Sequence, residues 1–160
     1  MILRDAAPTD HDSIRDVVTA AFGRVDEAGI VDRVRAASHA LIELVAELDG
    51  EIVGHVLFGR MICEPASLAA GLAPLAVAPH RQGAGVGTAL ARHGLAACRA
   101  LGAKGCVVLG APAYYGRFGF CAAPETLRSR YAGLAAFQVL EFEPGAFAGP
   151  VSIAYPPAFD

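Results

Sequence analysis

The chain has no surplus of positive charge: 13 Lys and Arg stand against 16 Asp and Glu, a formal net charge of -3 at pH 7. Nucleic acids and anionic membrane surfaces are bound chiefly through excess Lys and Arg, so neither is expected as a partner, while a cationic amine is mildly favoured. A long hydrophobic run is also missing. The longest apolar stretch, from Ala66 to Pro79, is interrupted by Ser67, Gly71 and Pro74 and falls short of the roughly 20 residues that a spanning helix needs. The start, Met1 to Asp5, has no basic segment leading into an apolar one and does not read as a secretion signal, so a cytoplasmic location is expected. Cys63, Cys98, Cys106 and Cys121 show no CxxC spacing, and the five histidines form no HExxH pattern. Metal binding is therefore not expected. Such cysteines are usually reduced, small and buried in the cytosol; Cys121, just past Gly119 and Phe120, is the one placed to react, and its structural reading stands beside that.

The 160 residues, 54% of them hydrophobic, suffice for one domain, 1–160, with a single core. Within it, Leu75-Ala76-Val77 runs as an apolar strand through Ala78-Pro79-His80-Arg81 into Gln82-Gly83-Ala84-Gly85-Val86-Gly87-Thr88 and on into a helical pattern. A glycine-rich turn opening a helix presents backbone N–H groups to an anion, which makes phosphate the first ligand to test. A Walker loop would end in Lys followed by Ser or Thr, where Gly87 and Thr88 stand instead. A Rossmann fingerprint would need glycine at 88 or 90, occupied by Thr88 and Leu90. Both fail. What remains is Gln82-x-x-Gly85-x-Gly87, with glycines where side chains would hold a diphosphate away from the amides. A plain strand-to-helix turn is the alternative reading.

Further along, Cys106 to Gly110 is a short apolar run followed by Ala111-Pro112-Ala113-Tyr114-Tyr115-Gly116-Arg117-Phe118-Gly119-Phe120. Taken together, Gln82, Gly85 and Gly87 with Tyr115, Gly119 and Phe120 resemble the two signatures of the Gcn5-related N-acetyltransferase (GNAT) superfamily: Gln/Arg-x-x-Gly-x-Gly/Ala for the pyrophosphate loop and Tyr-x-x-x-Gly-Phe after a later strand. The wording around Pro74 to Pro79 and Tyr114 to Phe120 looks closest to the YhbS-like branch. Ala111 departs from relatives that often carry an acidic residue there, and no substrate contact is assigned to it.

The remaining elements follow from periodicity and punctuation. Ile2 to Ala6 reads as a strand; Thr9 to Asp12 reads as a capping box before a helix whose face carries Ile14, Val17, Val18, Ala21 and Phe22, ended by Gly23. A second helix is expected between Asp26 and His39. Leu41 to Leu48 and Glu51 to Arg60 are strands joined by Asp49-Gly50, a type I′ hairpin signal. After a loop containing Glu64-Pro65 come the strand Leu72 to Val77, a helix from Gly85 to Leu101 closed by Gly102, the strand Cys106 to Gly110, a short helix around Tyr114 to Phe118, and strands Phe137 to Phe142 and Pro150 to Tyr155. The order predicts an α/β (α+β) fold with a mixed central sheet of about six or seven strands and helices on both faces. The resemblance implies the same acyl-CoA N-acyltransferase fold.

The resemblance also implies a reaction: transfer of an acetyl group from acetyl-CoA to a primary amine of a small molecule or protein, by direct attack in a ternary complex. Its partners would be acetyl-CoA and an amine acceptor, with a homodimer left open. Carried onto this chain, Leu75, Ala76 and Val77 would hold pantetheine, and the Val77 N–H would face the acetyl carbonyl. The amides of Gln82, Gly83, Ala84, Gly85, Val86, Gly87 and Thr88 would hold the diphosphate, with Arg117 reaching the phosphates or adenine. Tyr115 would be the general acid that protonates the leaving thiolate, with Tyr114 as its rival. No residue declares itself as base; Glu43, Glu47, His55 and Glu64 are candidates, each with a bland reading. Glu43 and Glu47 alternate with apolar neighbours and so face solvent in that reading, and His55 in a strand reads as a hydrogen-bonded core histidine. A non-catalytic acyl-CoA sensor or scaffold, or an acyltransferase using another acyl-CoA, is the alternative function.

Overall fold

A computed structural model of the chain describes residues 1–160. The strands are β1 (Ile2–Asp5), β2 (Ala40–Leu48), β3 (Glu51–Arg60), β4 (Ile62–Glu64), β5 (Ala70–Val77), β6 (Gly105–Leu109), β7 (Cys121–Ala122), β8 (Leu127–Arg128), β9 (Phe137–Glu141) and β10 (Val151–Ala154). The helices are α1 (His11–Phe22), α2 (Asp26–Ala36), α3 (Val86–Ala100) and the single turn α4 (Pro112–Tyr115), which continues as a 3₁₀ turn over Gly116–Phe118. Asp49 and Gly50 both take positive φ, 53° and 80°, the type I′ geometry that lets Leu48 pair directly with Glu51.

Two helix ends differ from expectation. Thr9 is exposed and makes no cap. Instead the chain enters α1 through a 3₁₀ turn, Pro8–Asp10, where the Asp10 carboxylate accepts the Ala7 N–H at 2.7 Å and the Arg4 guanidinium at 2.7 and 3.0 Å. One carboxylate thereby satisfies an orphan amide and an arginine together. The second helix stops at Ala36 rather than near His39, because Ser38 turns left-handed at φ 59° and the His39 N–H closes back onto the Val34 carbonyl.

The main sheet has seven strands in the order β1-β2-β3-β5-β6-β9-β7. Every neighbouring pair in it is antiparallel except β5 with β6, which run parallel. That parallel pairing is short: Ala70, Gly71 and Leu72 face Cys106, Val107 and Val108, and it goes no further. The next residues on β5 are Ala73 and Pro74, which form a bulge against β3, since Phe58 pairs with Leu72 and Val56 with Leu75. Proline has no N–H to give a ladder and sits in sheets at such irregularities. From there to Val77, β5 stays paired with β3 on one side and is open on the other.

Each face of the sheet is covered differently. On one, α3 packs Val86, Leu90, Leu95 and Cys98 against Leu44, Val56, Phe58, Leu72, Cys106 and Val108. The Phe58 ring lies on Gly94 so closely that a Cβ there would run into it, which sets the depth of α3. On the other face α1 and α2 bury Ile14, Val18, Val31 and Val34 against Val45, Leu57 and Ala76. Beside them a small sheet, β4-β10-β8, buries Ile153 and Leu127 against Val107, Phe137 and Val139. A fully buried Ile, Leu or Phe contributes about 1.5–3 kcal/mol, so each cluster anchors its own layer. This corrects two sequence readings: the strand read at Pro150 to Tyr155 leaves the main sheet and pairs instead with Ile62–Glu64, a segment read as loop. Alternation alone does not choose between two apolar surfaces.

Candidate functional site

The open edge of β5 can be read atom by atom. The Ala78 N–H donates to the Val53 carbonyl at 2.9 Å, and the same register pairs Val77 with Gly54, Ala76 with His55 and Leu75 with Val56. Hydrogen-bonded and non-hydrogen-bonded pairs alternate in an antiparallel ladder. Ala76 therefore exchanges its bonds with His55, while Leu75 and Val77 turn N–H and C=O away from β3, toward the side β6 has left. The Val77 carbonyl on that side accepts the Gln82 Nε2 donor at 3.1 Å. The side chains of Leu75 and Val77 face α3, and Ala76, 1% exposed, belongs to the cluster under α1 and α2. Of the three strand residues expected to hold pantetheine, Ala76 turns neither its amide nor its side chain to the opening.

Leu75 and Val77 form one wall of a cleft of about 600 Å³. Its floor is the glycine loop: Gln82, Gly83, Gly85, Val86, Gly87 and Thr88 line it, whereas Ala84 points outward and does not. Gly83 and Gly85 hold φ of 77° and 86°, a left-handed conformation that a side chain resists. Gly87 is needed for a different reason, since a Cβ there would stand 2.8 Å from the Tyr114 hydroxyl. Gly85 is the N-cap of α3 and no side chain caps the helix. The first internal bond runs from the Ala89 N–H to the Gly85 carbonyl, so the amides from Gly83 to Thr88 are free to donate, at the positive end of a helix with no acidic residue in its first turn; the Gln82 amide, expected among them, donates instead to the Pro79 carbonyl at 3.4 Å. Arg81, which sequence reasoning did not single out, joins the lining, and its buried Nε has no hydrogen-bond partner. Its signal was the adjacent Gln82.

The opposite wall is α4 and the turn after it. Tyr114, Tyr115 and Arg117 all line the cleft. The Tyr115 ring packs onto Gly110 and stands edge-on to Phe120, 5.9 Å between centroids. Burial, with Tyr114 alongside, pushes its hydroxyl up to about 12, which keeps it protonated at neutral pH and able to donate. Arg117 is committed to Tyr114: its guanidinium lies 4.3 Å from the ring centroid and its Nε donates to the Tyr114 carbonyl at 3.0 Å. The end of α1 closes the cleft through Ala21 and Phe22. Phe22 shares the helix face of Ile14, Val17 and Val18 by spacing, yet it is 41% exposed.

None of the four base candidates lines the cleft. His55 is fully buried on the other face and bonds Glu43 Oε1 at 2.8 Å through Nε2. The Arg35 guanidinium brackets the same carboxylate at 2.6 and 2.9 Å and holds Asp32 at 3.1 Å. Burial alone would raise Glu43, but hydrogen bonds from His55 and Arg35 hold it down at about 2. Burial likewise lowers His55 against the pull of Glu43. The expectation that Glu43 faces solvent is thus corrected; an ion-paired network between α2 and the sheet encloses it. Glu47 pairs with Arg4 at 2.9 Å, and Glu64 lies on the small sheet. No three His, Cys, Asp or Glu side chains are grouped to hold a metal ion, and no helix is long and apolar enough to cross a membrane. Cys121 is exposed on β7, while burial raises Cys98 to about 12 and Cys106 well above its ordinary value.

The profile of the acetyltransferase (GNAT) family matches residues 11–120. The protein named uncharacterized N-acetyltransferase YjhQ, from Escherichia coli K12, is 35% identical over 161 residues, covering 92% of this chain and 89% of its own. A GNAT family acetyltransferase from Brucella melitensis, crystallised with acetyl-CoA, is 40% identical and superposes with a TM-score of 0.85 over 99% of this chain and 97% of that one. YhbS from Escherichia coli, crystallised with CoA, is 32% identical with a TM-score of 0.90, covering 99% and 91%.

Proposed function

The chain belongs to the acetyltransferase (GNAT) family, and on that premise we propose that it is an acetyl-CoA-dependent N-acetyltransferase acting on a primary amine by direct attack in a ternary complex. The observation that carries the reading is the half-paired strand: no strand pairs with Leu75 and Val77 on the β6 side, where the Gln82 side chain takes the Val77 carbonyl and both N–H groups are left open, next to a capless helix N-terminus and the unpartnered Arg81 Nε. An extended amide-bearing chain ending in a diphosphate fits both. Leu75 and Val77 hold its amides as a neighbouring strand would, and the amides of the glycine loop with Arg81 take the diphosphate.

Bound acetyl-CoA supplies the activated acetyl group, which passes to the amine as a C–N bond forms and the C–S bond breaks. In that step the Val77 N–H, pointed into the gap, stabilises the negative charge that develops on the carbonyl oxygen. Tyr115, kept protonated by burial, gives its proton to the departing sulfur and recovers one from water. Because no carboxylate or imidazole lines the cleft, the amine reacts in its neutral form and releases its surplus proton to water. Arg117 holds Tyr114 in place over the loop and presents its charge to the phosphates. The proposal extends to a cytoplasmic location, since all four cysteines are free thiols, as a reducing compartment keeps them.

The test is thiol release from acetyl-CoA against a panel of amines, with calorimetric titration of CoA in the presence of a chelator. Thiol release that depends on an amine, and CoA binding unaffected by the chelator, are expected. CoA binding with no turnover on any amine would leave a sensor, and no binding at millimolar CoA would remove the assignment altogether.

A further inference from the structure

Resting on that reading, we propose that the acceptor is a compact monoamine with an aromatic or alicyclic body, held in an aromatic pocket on the face of the sheet opposite the cleft. The pocket, about 120 Å³, lies where β5 and β6 part. Leu72 and Val108 are the last residues the two strands pair, and the next on each, Ala73 and Leu109, both line the pocket. An amine seated there reaches the thioester through the gap between the strands, from the side that α3 and the glycine loop leave free.

The pocket sits in the seam between the layer formed by α1 and α2 and the layer formed by the small sheet. Ile30 of α2 lines it from one layer, and Tyr131, Tyr155 and Phe159 from the other. A pair of glycines makes room for two of these rings. Gly59 on β3 and Gly71 on β5 face each other across the ladder; a Cβ on Gly59 would strike the Phe159 ring, and one on Gly71 would strike the Met61 side chain and come within 3.2 Å of Tyr155. With no side chains rising from that patch, the rings lie against the backbone and stack edge to face, Tyr155 being 5.3 Å from Phe159 and 5.8 Å from Tyr131. The Tyr155 hydroxyl is buried and has no hydrogen-bond partner. Burial raises it above an ordinary phenol, so it stays a donor. A buried hydroxyl left unpaired costs free energy that a polar group on a ligand would recover.

Size and charge narrow the class. A dry cavity of about 150 Å³ holds benzene, so this smaller one, open at its edge, takes no more than a single small ring or its aliphatic equivalent. One acidic side chain, Asp160, stands at its edge, exposed and 3.7 Å from Arg130, and its backbone oxygen accepts Arg33 at 2.6 Å. A polyamine or an aminoglycoside, whose several cations need several carboxylates, finds only this one, shared with Arg130. Arg130 already lies over the Tyr131 ring, 5.3 Å from its centroid, so a single ammonium approaches over Phe159 and gives its proton to water at the gap before it attacks.

Thiol release from acetyl-CoA is measured with tyramine, phenethylamine, spermidine and kanamycin, alongside CoA affinity by calorimetry. Tyramine and phenethylamine are expected to turn over with kcat/KM at least about tenfold above the two polycations. Ile30→Trp, which fills the pocket from α2, is expected to raise KM for both arylamines about tenfold or more while the CoA dissociation constant stays within about twofold. Where that variant fails to fold, Tyr155→Phe keeps the ring and deletes the hydroxyl: KM for tyramine rises about three- to tenfold and that for phenethylamine does not. Preferred turnover of spermidine or kanamycin, no turnover of any arylamine by a protein that binds CoA, or unchanged KM in both variants overturns the proposal. Failure of the parent protein to bind CoA overturns the acetyltransferase reading, and the acceptor proposal with it.

Discussion

On the side of β5 that β6 leaves, the N–H groups of Leu75 and Val77 and the amides from Gly83 to Thr88 present donors that no strand or helix of the chain takes up. One residue away on the opposite face, Ala76 lies over His55, whose Nε2 is spent on Glu43, which is spent on Arg35, which is spent on Asp32. The same strand thus separates a surface built to be completed by a ligand from a network that completes itself everywhere but at the buried His55 Nδ1, which has no hydrogen-bond partner. Unmet backbone donors are tolerated on the first side because the cleft is open to water and to an anion, whereas burial on the second makes any missing partner expensive. A substitution on the open side should therefore change binding and rate with little effect on folding. One on the closed side should do the reverse.

The largest break is expected at Tyr115. Tyr115→Phe keeps the ring against Gly110 and Phe120 and removes the proton donor, so kcat should fall by about 100-fold or more with CoA affinity little changed; Tyr114→Phe should be far milder. Steady-state kinetics with calorimetric CoA affinities decide it, and a large loss in Tyr114→Phe alone would move the role to Tyr114. Next comes Gly85→Val, which forces a β-branched side chain to φ 86° over the diphosphate site. CoA should bind at least about tenfold more weakly, roughly 1.4 kcal/mol; an unchanged titration would mean that the loop does not carry the diphosphate.

On the closed face the readout switches. Glu43→Gln leaves Arg35 and His55 without their counter-charge and should cost about 1 kcal/mol of stability, seen as a lower denaturation midpoint at unchanged slope, with CoA affinity within twofold. A matching loss of CoA affinity would show that the two faces are coupled. The smallest effect is in pH. Glu43 sits at about 2 against an ordinary value of 4.5, so its contribution is fully present above about pH 4.5 and is lost as pH falls toward 2. His55, also lowered, acts in the same direction below its ordinary value of 6.5. Melting temperatures from pH 7 to 3 should fall less steeply in Glu43→Gln than in the parent, while removal of CoA should shift both proteins equally.

Much of the open face could be read from residues alone. Gly83, Gly85 and Gly87 alternate where backbone must turn left-handed or be approached closely, and Tyr115, Gly119 and Phe120 carry their spacing on one short turn. Less of the closed face could be. The alternation of Glu43 with apolar neighbours pointed it at solvent; only the packing of α2 put Arg35 over it. Phe22 showed the opposite failure, a helix-face aromatic that the fold leaves at the rim of the cleft. Ala76 and Ala84 show the limit of a contiguous motif, since period-2 alternation and one outward turn remove them from the lining between neighbours that stay.

The sequence by itself determined the local conformations: the hairpin at Asp49 and Gly50 and the glycine turn into α3, and with them the family. These depend on φ preferences, which are properties of one or two residues. Tertiary structure alone decided which surfaces meet. It sent Val151–Ala154 to a second sheet, enclosed Glu43 and His55, set Gly59 opposite Gly71 and so left a seam at Ala73 and Leu109. Each of those outcomes joins residues far apart in the chain through burial, and burial is summed over contacts that no short stretch of sequence contains.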